Sequence, residues 1–500
     1  MITLSAVSVL ALLVAPPSFG RDAVGPRLGV VVVVDQMRAD YLERDPAFNG
    51  GFRRLASEGA VFTAARHLHV PTETCPGHAA ISTGRAPITH GIVANEWFDR
   101  AKGAQVYCVA DDPYGTGPGN FSGPTLADAV KASDPKARVF SVSGKDRAAV
   151  LLGGRHPDLA LWLDRARGVF TTSSYYRRPD WLDAFNTELM KSGLLPLTGG
   201  KVADEALAGP AFDEATARLV SELVRREQVG RGPSTDLLLV SFSATDYVGH
   251  RYGTEAPQMV SQLRAVDSIL GRLLSQLEAA SGGSLKVAFS ADHGAIASPE
   301  DPSGKRLGVR RTSWNVLGAA LEAALQARWP APAERWILAG SMPHIYLNRA
   351  LAARQGLDWP LFLREAAKVL RTVDGIDRAF ATMDVPALDD ADPLNAVLRR
   401  SVRADRAGDL YVFLRENLLL HGSSTGTSHG SLWDYDARVP LVFWGTGIRA
   451  ARFDGPASPL DIAPTLARLL GVRYEPGDGG ALRNEVLTAP KSAEKSPINQ

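Results

Sequence analysis

The chain has 500 residues, of which 45% are hydrophobic and 22% charged, and its formal net charge is +1. That length and apolar content suit a large globular core, in one big domain with insertions or in two or three domains. The near-neutral balance, with no long basic or acidic run, points away from a nucleic-acid groove and from a polybasic membrane patch.

The N-terminus reads MITLSAVSVLALLVAPPSFGRD. Its apolar run, Ala6 to Ala15, is too short to span a bilayer, and Ser18-Phe19-Gly20 is a small-x-small cleavage pattern. Residues 1–20 therefore read as a signal peptide, although its first segment carries no lysine or arginine. The mature protein is expected to be periplasmic or secreted, with no stable membrane insertion after cleavage.

The next element, LGVVVVVDQMRADYL, has an unbroken β-branched run ending at Asp35, the pattern of a strand buried on both faces. HVPTETCPGHAAISTGRAPITHGI follows, a proline-bearing loop leading into a helix and carrying Thr72, Thr74 and Cys75. Cys75 and Cys108 are the two cysteines. They are either one disulfide or two buried thiols, and sequence does not show whether they meet. In VFSVSGKDRAAVLLGG, Lys145 and Arg147 stand two apart after an apolar run, which on an extended chain points them to one side.

Helical three- and four-residue spacing marks DEATARLVSELVRRE and QMVSQLRAVDSILGRLLSQLEAA. Between and after them, STDLLLVSFSATDYVGH ends its apolar run near Asp246, and SLKVAFSADHGA ends at Asp292-His293. Residues 305–420 mix short strands and helices and read as an inserted α+β cap, after which ARVPLVFWGTGI gives another strand. The polar stretch 487–500 reads as a disordered tail. Strands alternating with helices predict an α/β fold with a mostly parallel central sheet flanked by helices, its core formed by residues 21–304 and 421–486.

In such sheets ligands bind at the carboxyl ends of the strands, which is where Asp35, Asp246 and Asp292 stand. His250 lies four residues after Asp246, His293 follows Asp292, and His429 sits in the loop GTSHGSLWDYDARVP. Imidazole with carboxylate is a zinc-type donor set. Asp35, Asp292 and His293 suit one three-ligand site; Asp246, His250 and His429 suit a second. His67, His69, His90, His156, His344 and His421 are read as structural, and His78 as a support of the loop.

Taken in order, the strand ending at Asp35, the Thr-x-Pro block at Thr74, D-x-x-x-H, D-H and the late G-x-S/T-H-G resemble the alkaline phosphatase superfamily. The resemblance runs from about residue 28 to 475 and is nearest to the phosphate-irrepressible, threonine-nucleophile alkaline phosphatases. It implies two Zn2+ per chain, the first on Asp35, Asp292, His293 and the nucleophile Thr74, the second on Asp246, His250 and His429. It favours Thr74 over Thr72, because the nucleophile stands at the helix entry. A sulfatase reading of Cys75 fails, since the Cys-x-Pro-x-Arg pattern meets Gly77 and Ala79.

The same resemblance bears on the substrate. A phosphate monoester carries close to two negative charges near neutral pH and a diester one. Lys145, Arg147 and Asn95 match the residues that bind phosphate oxygens in the threonine-nucleophile phosphatases, and the Cys75 backbone N–H is expected to join them. The nucleotide pyrophosphatase/phosphodiesterases share the threonine and asparagine without the Lys/Arg pair. The implied activity is hydrolysis of small-molecule phosphate monoesters through a phosphothreonine intermediate by a monomer, with a phosphodiesterase on the same scaffold as the alternative.

Overall fold

The run LGVVVVV forms the strand Leu28–Val34, with all seven residues buried. Alternate side chains enter two different cores: Val30, Val32 and Val34 pack with Phe52, Phe212, Leu270 and Leu274, whereas Val31 and Val33 pack with Ile81, Ile462 and Leu466. A strand apolar at every position is the response to a sheet covered by helices on both faces. The structure is a computed structural model that describes residues 27–487. The signal segment expected over 1–20 lies outside the described residues, as does the expected tail apart from Leu487.

Leu28–Val34 sits in the middle of a nine-stranded sheet. Asp236–Phe242 and Leu285–Ser290 pair with it in parallel on either side. Val139–Ser143 and then Leu159–Asp164 extend the parallel run. Helices Gly51–Glu58, Pro210–Arg226 and Pro257–Ser281 supply buried residues to one face. Helices Thr74–Thr83, Leu126–Ser133 and Ile462–Leu469 supply the other.

Two strands depart from the parallel pattern: Val169–Thr171 at one edge, antiparallel to Leu159–Asp164, and one further strand nearer the middle. Leu441–Gly445, from the segment ARVPLVFWGTGI, pairs antiparallel with Leu285–Ser290. The chain enters it from the loop that holds His429 at the carboxyl edge of the sheet, so the strand has to run back the other way.

Between the two passages of the chain through the large sheet lies a smaller region. Strands Ile337–Ser341, His344–Leu347, Leu410–Leu414 and Ile376–Ala381 form an antiparallel sheet in that order. Helices Trp314–Arg328 and Trp359–Leu370 pack on it around Trp329, Trp336 and Phe362. Where the chain departs and returns, Arg310–Thr312 and Leu418–Leu420 form a parallel pair, with Arg310 opposite Leu418 and Thr312 opposite Leu420. Among the described residues no helix is long and apolar enough to cross a membrane.

Candidate active site

Register brings the acidic residues together. Val33 lies level with Ser241 on one side and Ser290 on the other, so the three strands end at nearly the same height. Asp35 follows Leu28–Val34, Asp292 follows Leu285–Ser290, and Asp246 stands in the first turn of the helix Ala244–Tyr252. Asp35, Asp246, Asp292 and His293 are all buried.

Around Asp292 one oxygen is satisfied and one is not. Oδ1 accepts the backbone N–H of Gln36 at 3.1 Å and of His293 at 3.0 Å. Oδ2 has no hydrogen-bond partner, and neither do Asp35 Oδ1 and His293 Nε2. His78 Nδ1 is 3.3 Å from Asp292 Oδ2, but that nitrogen is engaged with the Thr74 carbonyl at 2.8 Å. The three orphaned atoms face one another, with His293 Nε2 3.5 Å from Asp35 Oδ1 and 3.5 Å from Asp292 Oδ2. Buried polar atoms without partners are rare because each forfeits its hydration. Two carboxylate oxygens and an imidazole nitrogen within 4.8 Å of one another are a donor set that fits a divalent cation.

The second group gathers on Asp246. His250 Nε2 lies 3.0 Å and His429 Nε2 3.7 Å from Asp246 Oδ1. Asp246, His293 and His429 fall within the 4.8 Å span, so His293 serves both clusters, its ring stacked on His429 at 3.6 Å. His250, expected with Asp246 and His429, lies beside the Asp246 carboxylate, its ring 5.2 Å from the His429 ring.

Each imidazole is oriented by a backbone carbonyl. His250 Nδ1 bonds to Thr427 O at 2.9 Å, His293 Nδ1 to Gly294 O at 2.9 Å and His429 Nδ1 to Thr72 O at 2.8 Å. A carbonyl accepts only from N–H, so Nδ1 carries the proton and the Nε2 lone pair is directed to the centre. This is the outer-shell arrangement of metal-binding histidines.

The electrostatics show a cluster short of positive charge. Burial, reinforced by Asp292, pushes the Asp35 carboxyl up to about 8. Burial also acts on Asp246, but His250 and Lys145 outweigh it and hold that carboxyl well below the usual range. Asp292 is lowered in the same way by His293 and His78. Burial, with the neighbouring His293, keeps His429 well below its ordinary value and so neutral.

Lys145 lies at the boundary between the strand Val139–Ser143 and the helix Asp146–Gly153, with Arg147 in the first turn of that helix. The extended geometry expected of the pair is therefore not adopted: the strand stops at Ser143 and the chain turns at Gly144. Lys145 Nζ donates to Asp35 Oδ2 and to Asp246 Oδ2, both at 2.6 Å, bridging the two ligand groups. The half-buried Arg147 reaches Tyr107 Oη at 3.4 Å.

The Cys75 N–H, expected to face the phosphate, instead donates to Asn95 Oδ1 at 2.8 Å. The helix starts at Thr74, and its early N–H groups have no partner within the helix, so a nearby amide oxygen takes this one. Cys75 and Cys108 form a disulfide.

Thr74 is buried at the start of Thr74–Thr83. The helix is pressed on the Asp292 turn, where a Cβ at Gly77 would lie 2.2 Å from Asp292 O. His78 ties the same helix to the sheet, its Nε2 2.8 Å from Ser241 Oγ. Thr72 is occupied differently: its hydroxyl donates to Ser431 O at 2.8 Å and its carbonyl holds His429. Next to His429 and Glu73 a cavity of about 190 Å³ runs under the smaller sheet, lined by Met342, Phe413, Leu432 and Trp433.

Residues 29–431 match the family model described as type I phosphodiesterase/nucleotide pyrophosphatase. The chain belongs to the type I phosphodiesterase/nucleotide pyrophosphatase family. Alkaline phosphatase PhoK of Sphingomonas sp is 31% identical over 504 residues, covering 90% of this chain and 89% of PhoK. Alkaline phosphatase PafA of Elizabethkingia meningoseptica is 29% identical, covering 92% and 94%. The crystal structure of wild-type alkaline phosphatase PafA matches with a TM-score of 0.85 at 27% identity, over 93% of this chain and 99% of that one. The large mostly parallel sheet with flanking helices is thus the alkaline-phosphatase fold of this branch of the family.

Two site residues of this family member escaped the sequence reading. Gln36, with φ 61°, turns back so that its Nε2 donates to Asp246 Oδ1 at 2.7 Å. It passes so close to Gly249 that a Cβ there would lie 1.7 Å from Gln36 Oε1; the glycine in DYVGH is the one signal that could have revealed it. Glu73, whose Oε2 accepts the Asn95 N–H at 2.6 Å, has its carboxyl pushed up to about 7 by burial. Its position beside Thr74 was the available clue.

Proposed function

We propose that this family member is an exported, metal-dependent alkaline phosphatase that hydrolyses phosphate monoesters to an alcohol and inorganic phosphate through a phosphothreonine at Thr74. The observation that carries the reading is the gathering of Asp35, Asp292 and His293, three residues with orphaned ligand atoms, around the helix that begins at Thr74. Similarity to the alkaline phosphatases PhoK and PafA over 90% and 92% of the chain supports the monoester side.

Asp35, Asp292 and His293, with Thr74, would hold one zinc ion, and Asp246, His250 and His429 the other. Two bound ions would supply Lewis acidity to the attacking hydroxyl and to the leaving oxygen. Thr74 is the nucleophile, and its helix N-terminus favours the incoming anion. Carbonyls of Thr427, Gly294 and Thr72 hold the Nδ1–H of the three imidazoles and leave Nε2 directed to the centre. Lys145 and Arg147 supply fixed positive charge for a dianion, and the Asn95 NH2 donates to a phosphate oxygen, its Oδ1 being taken by Cys75 N–H.

The same reading makes residues 1–20 a signal peptide and the mature protein a monomer. It makes residues 305–420 a cap inserted in a core of 21–304 and 421–486.

The name of the family model favours one competitor, a phosphodiesterase or nucleotide pyrophosphatase on this scaffold. Rates on p-nitrophenyl phosphate and bis-p-nitrophenyl phosphate, with and without chelator, separate the two. The monoester should have the higher kcat/KM, chelation should abolish turnover, and Thr74→Ala should lower kcat by about ten-thousandfold or more. A diester preference would transfer the assignment to the competitor, and a near-normal rate in Thr74→Ala would remove Thr74 from the chemistry.

A further inference from the structure

Asn95 is held at three points, all from residues beside Thr74 or joined to one. Its backbone N–H donates to Glu73 Oε2 at 2.6 Å, and its side-chain oxygen accepts from Cys75 N–H at 2.8 Å. Its backbone carbonyl accepts from Cys108 N–H at 2.9 Å. Glu73 and Cys75 flank Thr74 in the chain. Cys108 is 33 residues from Cys75 in sequence and is bonded to it through sulfur. The result is a closed loop: Thr74's two neighbours grip the amide, and the disulfide fixes the segment that grips its other side.

We infer that the Cys75–Cys108 disulfide and Glu73 are positioning elements for phosphate recognition, which hold the Asn95 NH2 at a set place relative to Thr74. The inference rests on the proposed role of Asn95 as a phosphate donor. The amide has one acceptor and one NH2 group. With the oxygen committed to Cys75, only the NH2 can face an anion, and its aim depends on how firmly the Asn95 segment is tied to the helix start.

Both sulfurs are buried in an apolar cluster with Ala79, Ile92, Trp97 and Val150. The bridge therefore acts through geometry and not by touching substrate. A donor displaced by about 1 Å loses much of its transition-state benefit, on the order of 100-fold at the extreme.

The decisive experiment is a double-mutant cycle on the full chain. Cys75→Ala with Cys108→Ala removes the bridge but leaves the Cys75 and Cys108 backbone N–H groups in place. It is made in wild type and in Asn95→Ala, and kcat/KM on p-nitrophenyl phosphate is measured beside the thermal midpoint. Loss of the bridge should lower kcat/KM about tenfold when Asn95 is present and by less than about twofold when it is absent, while the thermal midpoint drops equally in both.

An equal loss of rate in both backgrounds, or no loss in either, would overturn the inference and leave the bridge a stabiliser of the fold. If the bridge-free protein does not fold, Glu73→Ala, which removes the acceptor of the Asn95 N–H, is put through the same cycle, with the same dependence on Asn95 expected and the same equal losses counting against it. Should Asn95→Ala keep the wild-type rate while Thr74→Ala is dead, the assumed role of Asn95 fails and the nucleophile assignment stands.

Discussion

The carboxyl end of the large sheet and the smaller antiparallel region differ in how they treat buried polar atoms. Around Asp35, Gln36, Asp292 and His293 the structure leaves side-chain atoms buried without partners. Among the described residues from 314 to 414, Thr382 alone has such an atom. That region is centred on Trp329, Trp336 and Phe362, and the Trp336 indole N–H is satisfied by Trp329 O at 2.8 Å. One end of the molecule is built for burial, the other accepts desolvated charge where cations and an anion are to be bound. The contrast is the expected trade between stability and a preformed site.

Changes at the two ends should therefore separate rate from stability. After Thr74→Ala, the largest effect is expected from replacing Lys145 and Arg147 together by Ala. Their fixed charge matters most for a dianion, so kcat/KM on a monoester should fall by about a thousandfold and on a diester by far less. Equal losses on both substrates would deny the pair its discriminating role.

Next is Gly77→Ala. The new methyl would meet the Asp292 carbonyl at 2.2 Å, forcing the Thr74 helix off the ligand turn. Overpacking of this kind costs about 1–3 kcal/mol, and displacement of Thr74 should cost on the order of 100-fold in rate. A variant that melts lower but turns over normally would show that the close approach serves packing only.

Trp336→Ala tests the other end. It should destabilise by about 3–5 kcal/mol in urea unfolding and leave kcat/KM on p-nitrophenyl phosphate within about threefold at a temperature where the variant is folded. A rate loss as large as that of Gly77→Ala would mean the two regions are not separable.

The smallest effect is a pH dependence at their junction. His344 Nδ1 accepts the Gly408 N–H at 3.1 Å, and Nε2 faces Val93 O at 3.4 Å. Burial, aided by the Arg100 charge, pushes this ring down from 6.5 to about 4. The unfolded chain takes up the proton first, so the contribution is complete above pH 6.5 and is lost as pH falls towards 4. The stability advantage of wild type over His344→Gln should shrink by on the order of 2–3 kcal/mol across that window. A difference constant with pH would exclude a buried neutral imidazole.

The strand-end acids were legible because apolar runs reveal strands buried on both faces, and such strands deliver ligands at their carboxyl ends. Asp35, Asp246 and Asp292 needed no knowledge of tertiary contacts, and His293 followed from adjacency. The partner of each imidazole was not legible: Thr72 and Thr427 act through carbonyls, which every residue possesses. The bonds of Lys145 Nζ to Asp35 and Asp246 were not legible either, because a K-x-R spacing cannot tell an extended chain from a strand-to-helix corner. The backward direction of Leu441–Gly445 was hidden too, since an apolar run has no arrow.

The parallel pair Arg310–Thr312 and Leu418–Leu420 carries a mechanical consequence. The chain runs into the smaller region from Thr312 and out of it at Leu418, and these residues lie at opposite ends of the ladder. A pull on that region therefore loads the rungs in shear, all at once, instead of unzipping them singly as a hairpin would. The stretch leading to His429 starts from the same ladder, with the His421 N–H bonded to Thr312 O at 2.8 Å. Any swing of the smaller region would thus tug on the tether of a metal-ligand candidate.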